Sequence, residues 1–159
     1  MLQHQRIIPR IKVDEGSKAL ARFPDEEVTE GLDGLRDRLV EYLQLGARFT
    51  KWRAVIRIAR DIPTAAGLMA NAHALARFAA LSQECGLVPI VEPEVLMDGD
   101  HTIERCEEVT ELTLQTVFFQ LEQYRVVPEQ MLLKTNMVLP GEECSKPADV
   151  LEVARATLH

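Results

Sequence analysis

The chain has 159 residues, a formal net charge of −7, 47% hydrophobic residues and 27% charged residues. This length suffices to enclose one hydrophobic core, so we expect a single domain over residues 1–159. The negative charge argues against binding to nucleic acid or to an anionic membrane, because both need a basic surface. No apolar run approaches the roughly 20 residues of a membrane-spanning helix, and residues 1–14 lack the apolar stretch of a secretory signal.

The cysteines and histidines do not form a recognisable ligand set. Cys85, Cys106 and Cys144 lie far apart and lack the CxxC spacing of zinc or redox sites. We interpret them as reduced thiols of a cytoplasmic protein. His73 lies within a predicted helix and His101 at the start of another, and we expect structural roles for both.

The first half of the chain alternates short β-branched segments with helical patterns. Residues 6–14 and 48–59 predict strands. Leucines at helical spacing predict a helix over 29–46, and an alanine-rich run predicts a longer helix over 63–86 that begins at Thr64.

The second half repeats this alternation. Residues 87–96 predict a strand, 101–125 a helix with acidic residues early, 131–139 a strand, and 147–159 a helix. Only the segment 15–28, after the first strand, reads as a polar loop, and we expect it to be the least ordered part.

Four β-α units in series indicate an α/β fold of parallel strands joined by helical crossovers. No glycine-rich phosphate-binding fingerprint follows the first strand, which would have favoured a doubly wound sheet. A complete (β/α)8 TIM barrel usually needs about 250 residues. The pattern therefore leaves two alternatives, a small open sheet or half of a barrel.

Charged side chains recur within the predicted strands, often two residues apart and thus on one face of a strand. Parallel strands covered on both faces should be nearly all apolar. A single charge of this kind could simply reach solvent at a strand end, but recurrence in four strands favours a shared site. The polar residues concerned are Lys12, Lys51, Arg53, Glu92, Glu94, Lys134 and Asn136.

The charged members of this set have a local net charge of +2 on an acidic chain. Such a cluster suits a small anionic ligand, for example a phosphorylated metabolite. A lysine beside other cations and shielded from water can be neutral and nucleophilic, ready to form a Schiff base with a carbonyl. Two nearby carboxylates could supply the acid and base. The residues therefore predict a lysine-dependent enzyme acting on a phosphorylated carbonyl compound, although structural ion pairs would give a similar pattern.

Several motifs resemble the class I, Schiff-base fructose-bisphosphate aldolases, and the resemblance runs from about residue 7 to the end. The run VPIVEPE followed by DGDH, with a downstream LLK-x-NM strand, is the specific part. The matching stretches are KVD (12–14), GLDGL (31–35), KWR (51–53), residues 71–101, and LLKTNMVLPG (132–141).

The resemblance implies a catalytic role for four residues. Lys134 matches the lysine that forms the Schiff base with the ketose phosphate. Glu92 matches the general acid/base that assists carbinolamine dehydration and proton transfer, and Glu94 matches a carboxylate that holds the neighbouring lysine. Lys51 matches the lysine that keeps the nucleophile reactive and helps to hold the substrate.

The resemblance also implies the substrates and the assembly. Lys12 and Arg53 match residues that line the phosphate end of the site. The implied reaction is reversible cleavage of fructose 1,6-bisphosphate to dihydroxyacetone phosphate and glyceraldehyde 3-phosphate, in glycolysis and gluconeogenesis. It requires no metal or other cofactor, because the iminium acts as the electron sink. The full-length family implies a homo-oligomer.

The four units resemble the third to sixth units of the family barrel, so we expect a truncated barrel. Thr135 stands where the family usually has proline, and we expect it to point away from Lys134. Three other possibilities stay open. The chain could assemble with another chain or with itself to close a barrel, it could bind sugar phosphates without turnover, or it could be a different sugar-phosphate lyase on the same fold.

Overall fold

The computed structural model describes residue 5 and residues 7–159. Helices and strands alternate as the sequence predicts, with an additional hairpin after the first strand. In chain order the elements are β1 (Arg10–Lys12), β2 (Ser17–Ala19), β3 (Glu27–Thr29), α1 (Leu35–Gln44), β4 (Phe49–Ile56), α2 (Ala65–Glu84), β5 (Val88–Val95), α3 (Ile103–Gln123), a 3-10 turn (Pro128–Gln130), β6 (Leu132–Leu133) and α4 (Val150–Leu158).

The main sheet has four strands in the order β1-β4-β5-β6, and each neighbouring pair is parallel. The four predicted β-α units are therefore present. Their strands lie side by side in chain order, without the reversal that defines a doubly wound sheet. Residues of α1, α2 and α3 pack in one core cluster with Trp52 and Ala54 of the sheet, so these helices lie on the same face, as in a barrel wall.

One face of the sheet is buried against the helices. Strand β4 alternates half-buried and fully buried residues along its whole length, so Trp52 and Ala54 point into the core. The Trp52 ring stacks on Phe78 of α2, with ring centroids 5.6 Å apart. The cluster around them draws on helices α1, α2 and α3 and includes Leu35, Leu39, Leu75, Val117 and Leu121.

Three helices begin with a capping side chain. Thr64, Thr102 and Asp149 each accept a hydrogen bond from the backbone N–H three residues later. The predicted start of α2 at Thr64 is confirmed. Within the described ranges, no helix combines the length and apolar character that a bilayer crossing requires.

The prediction that residues 15–28 form a poorly ordered loop is wrong. Strands β2 and β3 pair there as an antiparallel hairpin. Glu26, in the connection directly before β3, is buried and accepts hydrogen bonds from the backbone N–H and the hydroxyl of Thr64. The polar sequence of this segment does not indicate a hairpin, because the order of the hairpin depends on a helix start almost 40 residues away. Residue 29 belongs to this hairpin and not to the predicted helix 29–46. The observed helix α1 begins at Leu35.

The predicted strand over 131–139 is also shorter than expected. Pairing with β5 ends at Leu133, and the chain then leaves the sheet. The side-chain oxygen of Asn136 accepts a hydrogen bond from the backbone N–H of Val95, where a longer strand would have placed a carbonyl. Asn136 therefore closes the edge of β5 and does not continue the face of Lys134. At the other edge, β1 is shorter than the predicted 6–14, whose residue 6 lies outside the described residues.

Candidate active site

The charged side chains of the four parallel strands converge on the face opposite the helices. Register pairs Lys12 with Lys51, and Arg53 with Glu92. Lys134 directly follows β6, where its backbone N–H bonds to the carbonyl of Val91. The predicted charges thus share one face, from within β4 and β5 to the carboxyl ends of β1 and β6, and α/β folds build their sites toward that end of the sheet.

Glu92 is the centre of this cluster. Its side chain is buried, and its Oε2 lies 2.5 Å from the ammonium nitrogen of Lys51. Its Oε1 accepts a hydrogen bond from the ammonium of Lys134. Lys51 is largely buried, whereas 56% of the Lys134 side chain is exposed. One carboxylate therefore bridges two lysines, of which one is open to an incoming ligand.

The environment keeps Glu92 ionised. Burial by itself would raise the pKa of this carboxyl group, because it disfavours the charged form. The hydrogen bond from Lys134 and the ion pair with Lys51 outweigh burial and hold the pKa of Glu92 below its ordinary value. Glu92 is therefore an ionised carboxylate in contact with both ammonium groups.

Arg53 and Glu94 form the second ion pair of the face. The guanidinium Nε of Arg53 donates to Oε2 of Glu94, and this hydrogen bond raises the pKa of Arg53 above its ordinary value. The family resemblance implied that Glu94 holds a lysine, but the structure pairs it with Arg53 instead. Each cation of β4 reaches the acid two positions beyond its register partner, so Lys51 takes Glu92 and Arg53 takes Glu94.

Lys12 faces a carboxylate that the sequence reasoning missed. Its ammonium nitrogen lies 2.5 Å from Oδ1 of Asp14, and half of the Lys12 side chain is exposed. The available signal was the KVD motif, in which the acid follows the lysine by two residues and so shares its face if the strand continues.

The same face changes character along the strands. Toward their amino ends it is lined by Phe49, Val88, Ile90 and Leu132, all apolar. Toward their carboxyl ends it carries the ion pairs described above. A ligand that binds here would therefore meet charged groups at the rim and an apolar surface beneath them.

The three cysteines, His73 and His101 lie apart from this cluster. All three cysteines are free, and His73 Nδ1 lies 3.2 Å from the hydroxyl of Tyr124 on the outer helices. His101 is buried beyond the carboxyl end of β5. Among residues 7–159, no three histidine, cysteine, aspartate or glutamate side chains converge closely enough to hold a metal ion.

Comparison with known proteins identifies the family of this chain. The model of the glycolytic family "Fructose-bisphosphate aldolase class-I" matches residues 1–159. The "Probable fructose-bisphosphate aldolase class 1" of Xanthomonas campestris is 61% identical over 152 residues, which is 96% of this chain and 46% of the relative. The cytosolic fructose-bisphosphate aldolase 6 of Arabidopsis thaliana is 49% identical over 148 residues, covering 93% of this chain and 41% of the relative.

The fold matches that of a solved aldolase. The fructose-bisphosphate aldolase of Plasmodium falciparum, solved in a ternary complex with TRAP and a small-molecule inhibitor, superimposes with a TM-score of 0.96 and 44% identity. The match covers 99% of this chain and 46% of that one. The prediction of a partial (β/α)8 barrel is confirmed, and the chain spans about half the length of its relatives. By sequence and by fold, this chain belongs to the class I fructose-bisphosphate aldolases.

Proposed function

We propose that this chain carries the Schiff-base centre of a class I fructose-bisphosphate aldolase. The reaction is the reversible cleavage of fructose 1,6-bisphosphate to dihydroxyacetone phosphate and glyceraldehyde 3-phosphate, in the cytoplasm. The observation that carries the proposal is the bridging of Lys51 and Lys134 by the buried carboxylate of Glu92. A nucleophile, its proton acceptor and a second cation are thereby in contact.

The first step is attack by Lys134 on the ketone carbon of the substrate. The ammonium passes a proton to Glu92, with which it is already hydrogen-bonded, and the free amine adds to C2. Glu92 then returns a proton to the departing hydroxyl, and water leaves with formation of an iminium. Lys51 remains beside Glu92 as a positive charge throughout.

The second step is cleavage of the C3–C4 bond. Its electron pair moves into the iminium and gives an enamine, while the C4 hydroxyl loses its proton and becomes the aldehyde of glyceraldehyde 3-phosphate. Glu92 is the carboxylate beside the nucleophile that could accept this proton. Protonation of the enamine carbon and hydrolysis of the iminium then release dihydroxyacetone phosphate and restore Lys134.

Lys12 and Arg53 are the proposed contacts for a substrate phosphate. Lys12 ends β1 and Arg53 lies within the adjacent β4, both on the face of Lys51. The carboxylate paired with each cation holds it at the rim. A phosphate oxygen could replace that carboxylate as a partner of the cation. Guanidinium and ammonium groups are the usual partners of phosphate oxygens.

Borohydride trapping tests the proposal directly. The purified chain is incubated with dihydroxyacetone phosphate, reduced with borohydride, and analysed by intact mass and peptide mapping. We expect one adduct, on Lys134, which the Lys134→Arg variant loses. The matched control, Lys146→Arg, changes a lysine whose side chain is 73% exposed and should keep the adduct. An unmodified chain, or an adduct on another lysine, would contradict the proposal.

A second candidate function is ligand binding without turnover. It is favoured by the exposure of Lys134 and by the coverage of only 46% of the relatives. An adduct on Lys134 without cleavage of fructose 1,6-bisphosphate would indicate a preserved nucleophile in an incomplete site. Stronger trapping of another ketose phosphate would identify a different lyase on the same fold.

A further inference from the structure

Asp14 is a buried carboxylate that the proposed chemistry does not use. It follows β1 at the carboxyl end of the sheet, and only 2% of its side chain is exposed. A buried carboxylate is costly unless charge and hydrogen bonds compensate it. Its contacts therefore indicate what it holds in place.

Both carboxylate oxygens of Asp14 have partners from different segments. Oδ1 lies 2.5 Å from the Lys12 ammonium and accepts a hydrogen bond from the backbone N–H of Gly16 at 3.1 Å. Oδ2 accepts from the backbone N–H of Arg53 at 3.3 Å. The side chain thus joins β1 to β4 at the point where regular pairing between these strands has ended.

The Arg53 peptide is held from both ends. Its N–H donates to Asp14, and its carbonyl accepts from the hydroxyl of Thr29 on the hairpin at 2.8 Å. Lys12, by contrast, has a long flexible side chain that is half exposed, and Asp14 is the charged group that orients it. One carboxylate therefore sets the position of two cations of the candidate site.

We propose that Asp14 is a positioning residue that presents Lys12 and Arg53 together to one phosphate group of the substrate. Its charge orients the Lys12 ammonium, and its hydrogen bond fixes the strand that carries Arg53. The part of this inference that concerns substrate rests on the proposed function. The part that concerns the two cations does not, and it can be tested without ligand.

Two substitutions separate the two contributions. Asp14→Asn removes the charge and keeps an oxygen that can accept from the Arg53 N–H, whereas Asp14→Ala removes both. The matched control is Asp37→Asn, at an exposed aspartate of α1. In the ligand-free chain, the acylation rate of Lys12 and the amide hydrogen exchange of Arg53 are followed by mass spectrometry and NMR.

We expect Asp14→Asn to raise the acylation rate of Lys12 severalfold relative to Lys146, with little change in the exchange of the Arg53 amide. Asp14→Ala should change both quantities, and Asp37→Asn neither. Unchanged acylation of Lys12 in Asp14→Asn would overturn the proposal. Because this variant retains an acceptor, it keeps the test valid if Asp14→Ala fails to fold.

A second measurement addresses the substrate. The concentration of dihydroxyacetone phosphate that half-saturates borohydride trapping on Lys134 should rise severalfold in Asp14→Asn, with the same yield at saturation. In a Lys12→Ala background the Asp14→Asn change should add nothing, because both act through one ammonium. Fully additive effects would overturn the proposal. Failure of the wild-type chain to form any adduct would instead refute the proposed function, while the ligand-free measurements would still decide the role of Asp14.

Discussion

Glu92 binds the ammonium group of Lys51 at 2.5 Å with one carboxylate oxygen and that of Lys134 with the other. Lys51 lies two residues before the register partner of Glu92 on β4, and Lys134 directly follows β6, the strand on the other side of β5. The carboxylate is therefore shared between two strands that flank its own. Its removal should affect chemistry and stability together.

Glu92→Gln should lower the rate of adduct formation on Lys134 about 100-fold, because the amide cannot accept the proton that the ammonium must lose. It also leaves two ammonium groups without their countercharge. We expect the free energy of unfolding to fall by about 2 kcal/mol, less than for a fully buried pair because Lys134 is largely exposed. Rapid-quench trapping and urea denaturation measure the two effects.

The control is Glu129→Gln, at an exposed position, which should change neither the trapping rate nor the free energy of unfolding. A Glu92→Gln chain that traps at the wild-type rate would exclude Glu92 as the proton acceptor.

His101 should make stability depend on pH in the acid range. Burial lowers the pKa of His101 below its ordinary value and outweighs the opposing effects of the Leu139 carbonyl and of Asp100, while the positive charge of Arg105 lowers it further. The unfolded chain therefore binds a proton at a higher pH than the folded chain. Stability should fall as the pH drops below about 6.5, the ordinary pKa of histidine.

Urea denaturation measures how the free energy of unfolding of wild type and His101→Gln changes with pH. The range runs from pH 7.5 to 5.5, about 1 unit on either side of the ordinary pKa of histidine. His101→Gln should make the free energy of unfolding less dependent on pH. The matched His73→Gln change on the outer surface should leave this pH dependence as in wild type. An equal slope in His101→Gln and wild type would assign the pH dependence to other groups.

Gly141 permits two loops to cross at the carboxyl end of the sheet. A Cβ at this position would lie 2.2 Å from the backbone carbonyl oxygen of Gly99, and the Gly141 N–H donates to the carbonyl of His101. Gly141→Ala should therefore cost about 3 kcal/mol of stability, since backbone has to move. Gly16→Ala is the comparison. It meets open space but has a φ of +90°, so it should cost about 1 kcal/mol of backbone strain. Equal losses of stability in the two variants would show that the crossing is not tight.

Glu26 should determine the order of the β2–β3 hairpin. Glu26→Ala removes the acceptor for both the N–H and the hydroxyl of Thr64, so amide hydrogen exchange across residues 17–29 should accelerate. We expect a loss of about 2 kcal/mol, the cost of unpairing buried polar groups. Glu27→Ala, at the adjacent exposed position whose carboxylate accepts from the Ser17 hydroxyl, should have a much smaller effect. Similar exchange in the two variants would argue against this anchor.

Some features of the candidate site could be read from local spacing. Alternation within a strand placed Lys51 with Arg53 and Glu92 with Glu94, because side chains two residues apart share a face whatever lies beside them. The helices over 63–86 and 101–125 could also be predicted from the local sequence, since their caps and periodicity involve residues only a few positions apart.

Other features depended on segments far apart in the chain. The β2–β3 hairpin is ordered by hydrogen bonds to Thr64. Strand β6 ends at Leu133 because the Asn136 side chain bonds to the backbone of Val95. Neither contact has a signature in the local sequence. Helical and strand periods reflect the backbone geometry of neighbouring residues, whereas these contacts reflect how separate elements meet.

The sequence alone determined four β-α units, a row of charged residues on one face of their strands, and a family resemblance that implies a nucleophilic lysine. The tertiary structure decided which carboxylate meets which cation: Glu92 with both Lys51 and Lys134, Glu94 with Arg53, and Asp14 with Lys12. The physical reason is that spacing specifies a face, while an ion pair requires the register between strands and the reach of each side chain.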